Sequence, residues 1–151
     1  MNNLCFSCDA ECLAQILTAV ISFFGFLIAI YQLIKGNREK SIANIIALKS
    51  EMSKYDEIHF KLLPNGEWEN LDANYFIRTD RDVIVFGKLV SYLGLFEVAY
   101  EMIEAGTLKK SQFSTFFKYR LENIFSTPAV KNSIILEQDS WKKLLELYNN
   151  L

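Results

Sequence analysis

Residues 13–34 read LAQILTAVISFFGFLIAIYQLI, a run of 22 residues with neither a charge nor a proline. Coiled as an α-helix, such a run rises roughly 33 Å, enough to cross a hydrocarbon core about 30 Å thick. The competing reading is a buried helix of a soluble domain, but the run is too long and too uniformly apolar for a small soluble core. A cleaved signal peptide also fits poorly. The region before the run is acidic where a signal peptide is basic, the apolar stretch is longer than a signal needs, and no small-x-small site follows Ile30. No cysteine follows the run to serve a lipoprotein anchor. The segment is expected to stay in place as an uncleaved anchor.

Charge is distributed to match. The chain has 151 residues with 16 basic and 18 acidic side chains, a net charge of −2. A dominant nucleic-acid-binding surface is therefore not expected. Asp9 and Glu11 are the only charges in residues 1–34, whereas Lys35, Arg38, Lys40 and Lys49 follow the span with only Glu39 among them. Basic flanks stay on the cytoplasmic side, and Tyr31 sits where an amphipathic ring is favoured at the inner boundary. This predicts an inner (plasma) membrane protein with a single pass. Residues 1–12 form a short extracytoplasmic N-terminus, 13–34 the transmembrane helix, and 35–151 a cytoplasmic helical domain.

The few non-apolar positions inside the span are regularly placed. Gln15, Thr18, Ser22, Gly25, Ala29 and Gln32 are separated by alternating steps of three and four, so they share one helical face. The stripe extends upstream to Cys8, Glu11 and Cys12 and downstream to Gly36, while Ile16, Val20, Ile21, Phe23, Phe24, Leu27, Ile28 and Ile30 suit lipid. Small and polar residues let helices approach closely and bond across an interface that water does not reach. With one span per chain, the expected partner is another copy. A dry packing seam and a ring of copies lining a water-filled pore both fit this stripe. No full charge lies within the span, so no ion preference follows.

Cys5, Cys8 and Cys12 are all the cysteines. A zinc site would need a fourth ligand, and the sole histidine, His59, is expected across the membrane. Packing in the stripe, a disulfide and a metal all remain open for them. His59 stands in KYDEIHF and reads as a surface or boundary residue. No glycine-rich phosphate loop, G-x-S-x-G or H-E-x-x-H is present, so no catalytic residue, cofactor or metal is predicted.

Beyond Gly36 the chain reads as helix. The spacing of Ile42, Ile45, Ile46, Lys49, Met52, Tyr55, Ile58 and Leu62 extends the first helix to Leu63, with a bend near Gly36-Asn37, and Pro64-Asn65-Gly66 ends it. After a connecting segment at 64–79, Thr79 and Asp82 resemble a capping box opening a helix over 80–105 that Gly106 closes. Gly87, Ser91 and Gly94 offer it a small-residue face, and Glu97, Glu101 and Glu104 an acidic one read as solvated. A second membrane span competes here, but Lys88 and Glu97 would each cost about 2.5–3.5 kcal/mol near a bilayer centre. The run Val83–Phe86 could be a strand, though its surroundings favour helix. Further helices are predicted over 111–125, with Phe113, Phe116, Phe117, Leu121, Ile124 and Phe125 at core spacing, from Thr127-Pro128 to Leu136, and after an Asp139 cap, the last burying Trp141, Leu144, Leu145 and Tyr148. The fold class is all-α: one N-terminal transmembrane helix and a small cytoplasmic bundle.

Residues 91–125, SYLGLFEVAYEMIEAGTLKKSQFSTFFKYRLENIF, carry Tyr92-Leu93-x-Leu95-Phe96-Glu97, then Gly106, then a phenylalanine-rich helix. In this the chain resembles bacterial single-span helical membrane proteins, some associated with abortive-infection defence against phage. Its architecture is also similar to the small membrane-pore accessory proteins of type VI-B CRISPR systems, linked to the HEPN ribonuclease-like fold. The resemblance implies an oligomeric membrane protein, a pore, supporting antiviral defence beside an effector protein. HEPN ribonucleases place an arginine before a histidine with four to six residues between them; Met52, Ser53 and Lys54 occupy those positions before His59. RNA cleavage is therefore not carried over. The alternative is a membrane-tethered interaction module without pore activity.

Overall fold

The computed structural model describes residues 10–78 and 81–151, with side chains of the first helix described at Thr18 and from Val20 onward. Cys5, Cys8 and Asp9, and the expected cap Thr79, lie outside the described residues. Among the described residues the fold is all-α: α1 Ala10–Ser53, α2 Asp56–Lys61, α3 Val83–Glu104, α4 Lys110–Ser126, α5 Pro128–Leu136 and α6 Lys142–Asn150, with one 3-10 turn at Tyr75–Ile77. The chain divides into two compact units, Met1–Glu39 and Lys40–Leu151. Among the described residues two helices are long and apolar enough to cross a membrane, α1 from Val20 onward and α3.

In the first unit, every described side chain from Thr18 to Lys35 is exposed. The second unit is a helical bundle, and the last turns of α1 belong to it. Ser41, Ile45, Leu48 and Met52 repeat every three or four residues and are buried, whereas Ile42 and Ile46 are exposed. Helical structure continues through Gly36 and Asn37 and then stops earlier than Leu63. Lys54 N–H reaches back to Glu51 O at 3.2 Å and Tyr55 N–H to Met52 O at 3.1 Å, so the chain turns before α2 begins. Asp56 and Glu57 occupy the first turn of α2, where the helix dipole favours anions.

Pro64-Asn65-Gly66 closes α2, and glycine is required there. A Cβ on Gly66 would stand 2.6 Å from Lys61 O and 2.8 Å from Phe60 O, the carbonyls at the helix end. The connecting segment buries Trp68 and Phe76, whose rings meet edge to face at 4.9 Å.

Helix α3 starts at Val83, three residues later than the expected 80, because Asp82 is itself the N-cap rather than the third residue of a box. Its Oδ1 accepts from Ile84 N–H at 2.9 Å and Val85 N–H at 3.1 Å. Asp82→Ala is expected to cost the bundle about 1 kcal/mol, with Asp82→Asn close to the parent. Urea unfolding of the two variants checks this, and equal losses would show that the cap contributes nothing. At the other end Gly106 adopts φ 69°, Thr107 N–H bonds Met102 O at 2.9 Å, and Gly106 N–H bonds Ile103 O. This Schellman pattern satisfies carbonyls the helix would otherwise strand.

One side of α3, through Leu89, Tyr92, Leu93, Phe96 and Ala99, is buried, while Val83 and Ile84 are exposed. No neighbouring helix uses the small residues, since a Cβ at Gly87 or Gly94 would meet nothing within 4 Å. The acidic side is not simply solvated. Glu101 pairs with Lys143 of α6, Tyr100 OH donates to Glu146 at 2.6 Å, and half-buried Glu97 has its carboxyl raised above the usual range by burial.

Helix α4 buries Phe113, Phe117, Leu121, Ile124 and Phe125 as its spacing predicts, but Phe116, expected in the core, faces outward and is 49% exposed. Thr127 precedes Pro128 at the start of α5, but its hydroxyl donates back to Asn123 O at 3.0 Å instead of capping forward. The last helix begins after Trp141, not at an Asp139 cap, because Ser140 and Trp141 N–H groups fold back onto Glu137 O. It buries Leu144 and Leu147, while Tyr148 stays exposed and stacks on Phe125 at 3.9 Å.

Candidate functional site

Two groups of residues stand out, one in each unit. The first is the predicted stripe. Thr18, Ser22, Gly25, Ala29 and Gln32 all lie on α1 and are exposed; Gln15 is on the same helix, with its side chain outside the described residues, as is that of Cys12. A Cβ added at Gly25 would meet no atom within 4 Å. From Ser22 to Gln32 this face is exposed in a single chain.

The second group corrects the reading of His59 as a surface or boundary residue. His59 is only 4% exposed, because α2 turns it inward against α3 and α4. Its Nδ1 lies 3.4 Å from Tyr92 OH, and its ring meets Tyr119 edge-on at 5.4 Å. Arg120 of α4 completes the cluster. Its Nη2 donates to Asp56 Oδ1 at 2.8 Å and its Nε to Tyr119 OH at 3.0 Å.

Electrostatics follow from this packing. Burial, reinforced by the Arg120 cation, lowers the His59 imidazole to about 4, although Asp56 pulls the other way. Burial also raises the Tyr92 hydroxyl to about 12, against the opposing pull of Arg120. For Arg120, burial acts to lower its pKa, but hydrogen bonds to Asp56, Tyr119 and Tyr92 outweigh it and raise the guanidinium further. At neutral pH the cluster thus holds a neutral His59 and a neutral Tyr92 beside the ion pair of Arg120 with Asp56.

Arg120 was not singled out from the sequence, yet a signal existed. Phe113, Phe117, Arg120 and Ile124 are separated by four, three and four residues, which places a charge at core spacing on α4. Asp56 is 64 positions away, and only the fold brings the two together. A cavity of about 150 Å³ adjoins Arg120, lined by Lys49, Met52, Phe116, Phe117, Tyr119 and Arg120. Among the described residues no group of three or more His, Cys, Asp and Glu side chains could hold a metal.

No protein-family model, curated protein or solved structure matches this chain.

Proposed function

We propose that this protein is a non-enzymatic, single-pass protein of the inner (plasma) membrane, with its N-terminus outside and its helical bundle in the cytoplasm. Copies associate through Gln15, Thr18, Ser22, Gly25, Ala29 and Gln32 to form a membrane pore. The pore supports antiviral defence of the phage-responsive kind, such as that of an RNA-targeting CRISPR system. The defence role rests on the resemblance of residues 91–125, and the membrane role on the chain itself.

One observation carries the membrane reading: from Thr18 to Lys35 every described side chain is exposed, including Phe23, Phe24, Phe26, Leu33 and Ile34. So large an apolar surface is costly in water and favourable in lipid. Helix α3 is equally apolar, but it spends Leu89, Leu93 and Phe96 on the bundle core, and its Lys88 pairs with Glu57 of α2 at 2.9 Å. A place in the bundle accounts for α3 without a bilayer. The non-enzymatic reading is supported by His59, which is buried and hydrogen-bonded, and so poorly placed to reach the ribose of an RNA chain.

The test uses Gln15→Leu, Thr18→Leu and Ser22→Leu. Each is expected to change the mass of the detergent-purified oligomer and to lower dye release from reconstituted vesicles. Unchanged mass and unchanged release in all three variants would remove the pore. If an unrelated apolar helix replaces the span and activity persists, the bundle is a tethered interaction module instead.

A further inference from the structure

Charge is unevenly spread over residues 40–151. The segments 40–50 and 105–121 hold six of the fourteen basic residues of this unit and none of its fifteen acids. The fold places the two segments side by side. Ser41 Oγ donates to Gln112 Oε1 at 2.5 Å, and Asn44 Nδ2 donates to Thr107 O at 3.0 Å. The turn between α3 and α4 therefore packs beside the residues at which the chain enters this unit, and buried Leu108 fixes the turn to the core.

Two of the six cations are engaged inside the unit, Arg120 by Asp56 and Lys118 by the Leu151 carbonyl. Lys40, Lys109 and Lys110 are exposed and make no ion pair among the described residues. Glu104, which ends α3, is the acid nearest to this turn along the chain, and Glu101 is already paired with Lys143. Lys109 and Lys110 gain nothing from α4 itself. They stand where α4 begins, its first turn holds no acid, and the helix dipole disfavours cations at that end. Lys40 comes six residues after Ile34, the last residue of the predicted span, which is roughly 9 Å of helix along α1. The anionic surface within reach of such a position is the phospholipid headgroup layer, which attracts basic residues beside a span.

We propose that this end of the bundle docks on anionic phospholipid headgroups of the membrane, through Lys40, Lys109 and Lys110. The ammonium groups pair with lipid phosphates, and the turn between α3 and α4 becomes a second point of attachment beside the anchor. The proposal rests on the reading of α1 as a membrane span, but not on the pore.

The test is amide hydrogen exchange of residues 109–112 in the full chain, held in lipid nanodiscs. One set is neutral phosphatidylcholine, and the other contains about 30% phosphatidylglycerol to supply negative surface charge. These amides should exchange at least about threefold more slowly in the anionic discs. The difference should vanish in about 1 M salt, where charges are screened beyond roughly 3 Å. Lys109→Gln combined with Lys110→Gln should abolish it without moving the urea midpoint. Lys131→Gln, an exposed lysine of α5 beyond the far end of α4, should leave it intact. Equal exchange in the two lipids would overturn the docking surface. So would protection that survives the double substitution, since nearness to a charged surface would then explain it without contact by these lysines. A chain that enters discs of neither composition removes the membrane span, and the docking surface falls with it.

Discussion

Phe96→Ala is expected to lower the unfolding free energy of the helical bundle by about 3–5 kcal/mol, the largest effect of any single truncation considered. Phe96 is 0% exposed and sits midway along α3. Its ring meets Tyr92 edge to face at 5.4 Å and Phe113 of α4 at 6.3 Å, and Phe113 in turn meets Phe117 at 5.4 Å. Removing it deletes the hydrophobic transfer of a whole ring and leaves a cavity that helices fixed by other contacts cannot close. Phe60 is 61% exposed, and Phe60→Ala should stay within about 1 kcal/mol. Both tryptophans, Trp68 and Trp141, are buried in residues 40–151, so urea unfolding followed by tryptophan fluorescence reports on this unit. Equal losses for the two phenylalanines would mean that α3 does not pack in the bundle as described.

The second large effect is a pH dependence that belongs to His59. Its imidazole is held at about 4 by burial and by Arg120, against an ordinary value of 6.5. The unfolded chain therefore binds a proton between pH 6.5 and 4 that the folded chain refuses. Above 6.5 the imidazole is neutral in both states and the full stability is present. As pH falls from 6.5 toward 4 stability is lost, by about 3 kcal/mol in total for this group, and below 4 there is no further loss from it. Carboxylates add their own acid limb, so the quantity to measure is the difference between the parent and His59→Gln. Urea midpoints at pH 7 and pH 4.5 should converge between the two proteins as the acid is approached. Parallel losses would show that His59 titrates normally and that its burial is not as described.

The cost of a buried histidine beside a half-buried arginine raises the question of what keeps them. Asp56 pairs with Arg120, the Tyr119 hydroxyl accepts from Arg120 Nε, and the Tyr92 hydroxyl lies 3.4 Å from His59 Nδ1.

The all-α class, the apolar length of α1, the Gly106 cap and the core face of α4 could be read from the sequence alone, because each depends on neighbours within one or two helical turns. Periodicity in 113–125 names the buried Phe113, Phe117 and Phe125, though it also admits the exposed Phe116, and a glycine at the end of an apolar run names a left-handed cap. Local pattern was less reliable where two signals competed. Asp82 rather than Thr79 starts α3, and the chain turns at Lys54-Tyr55 although apolar spacing continues past it. What tertiary structure alone decided is the burial of His59 and its meeting with Tyr92, Tyr119 and Arg120. Those contacts join residues 33 and more positions apart, and a burial energy depends on what the other elements place overhead. A lone histidine in a charged hexapeptide looks solvated until α3 and α4 close over it, and no spacing rule within α2 can report that.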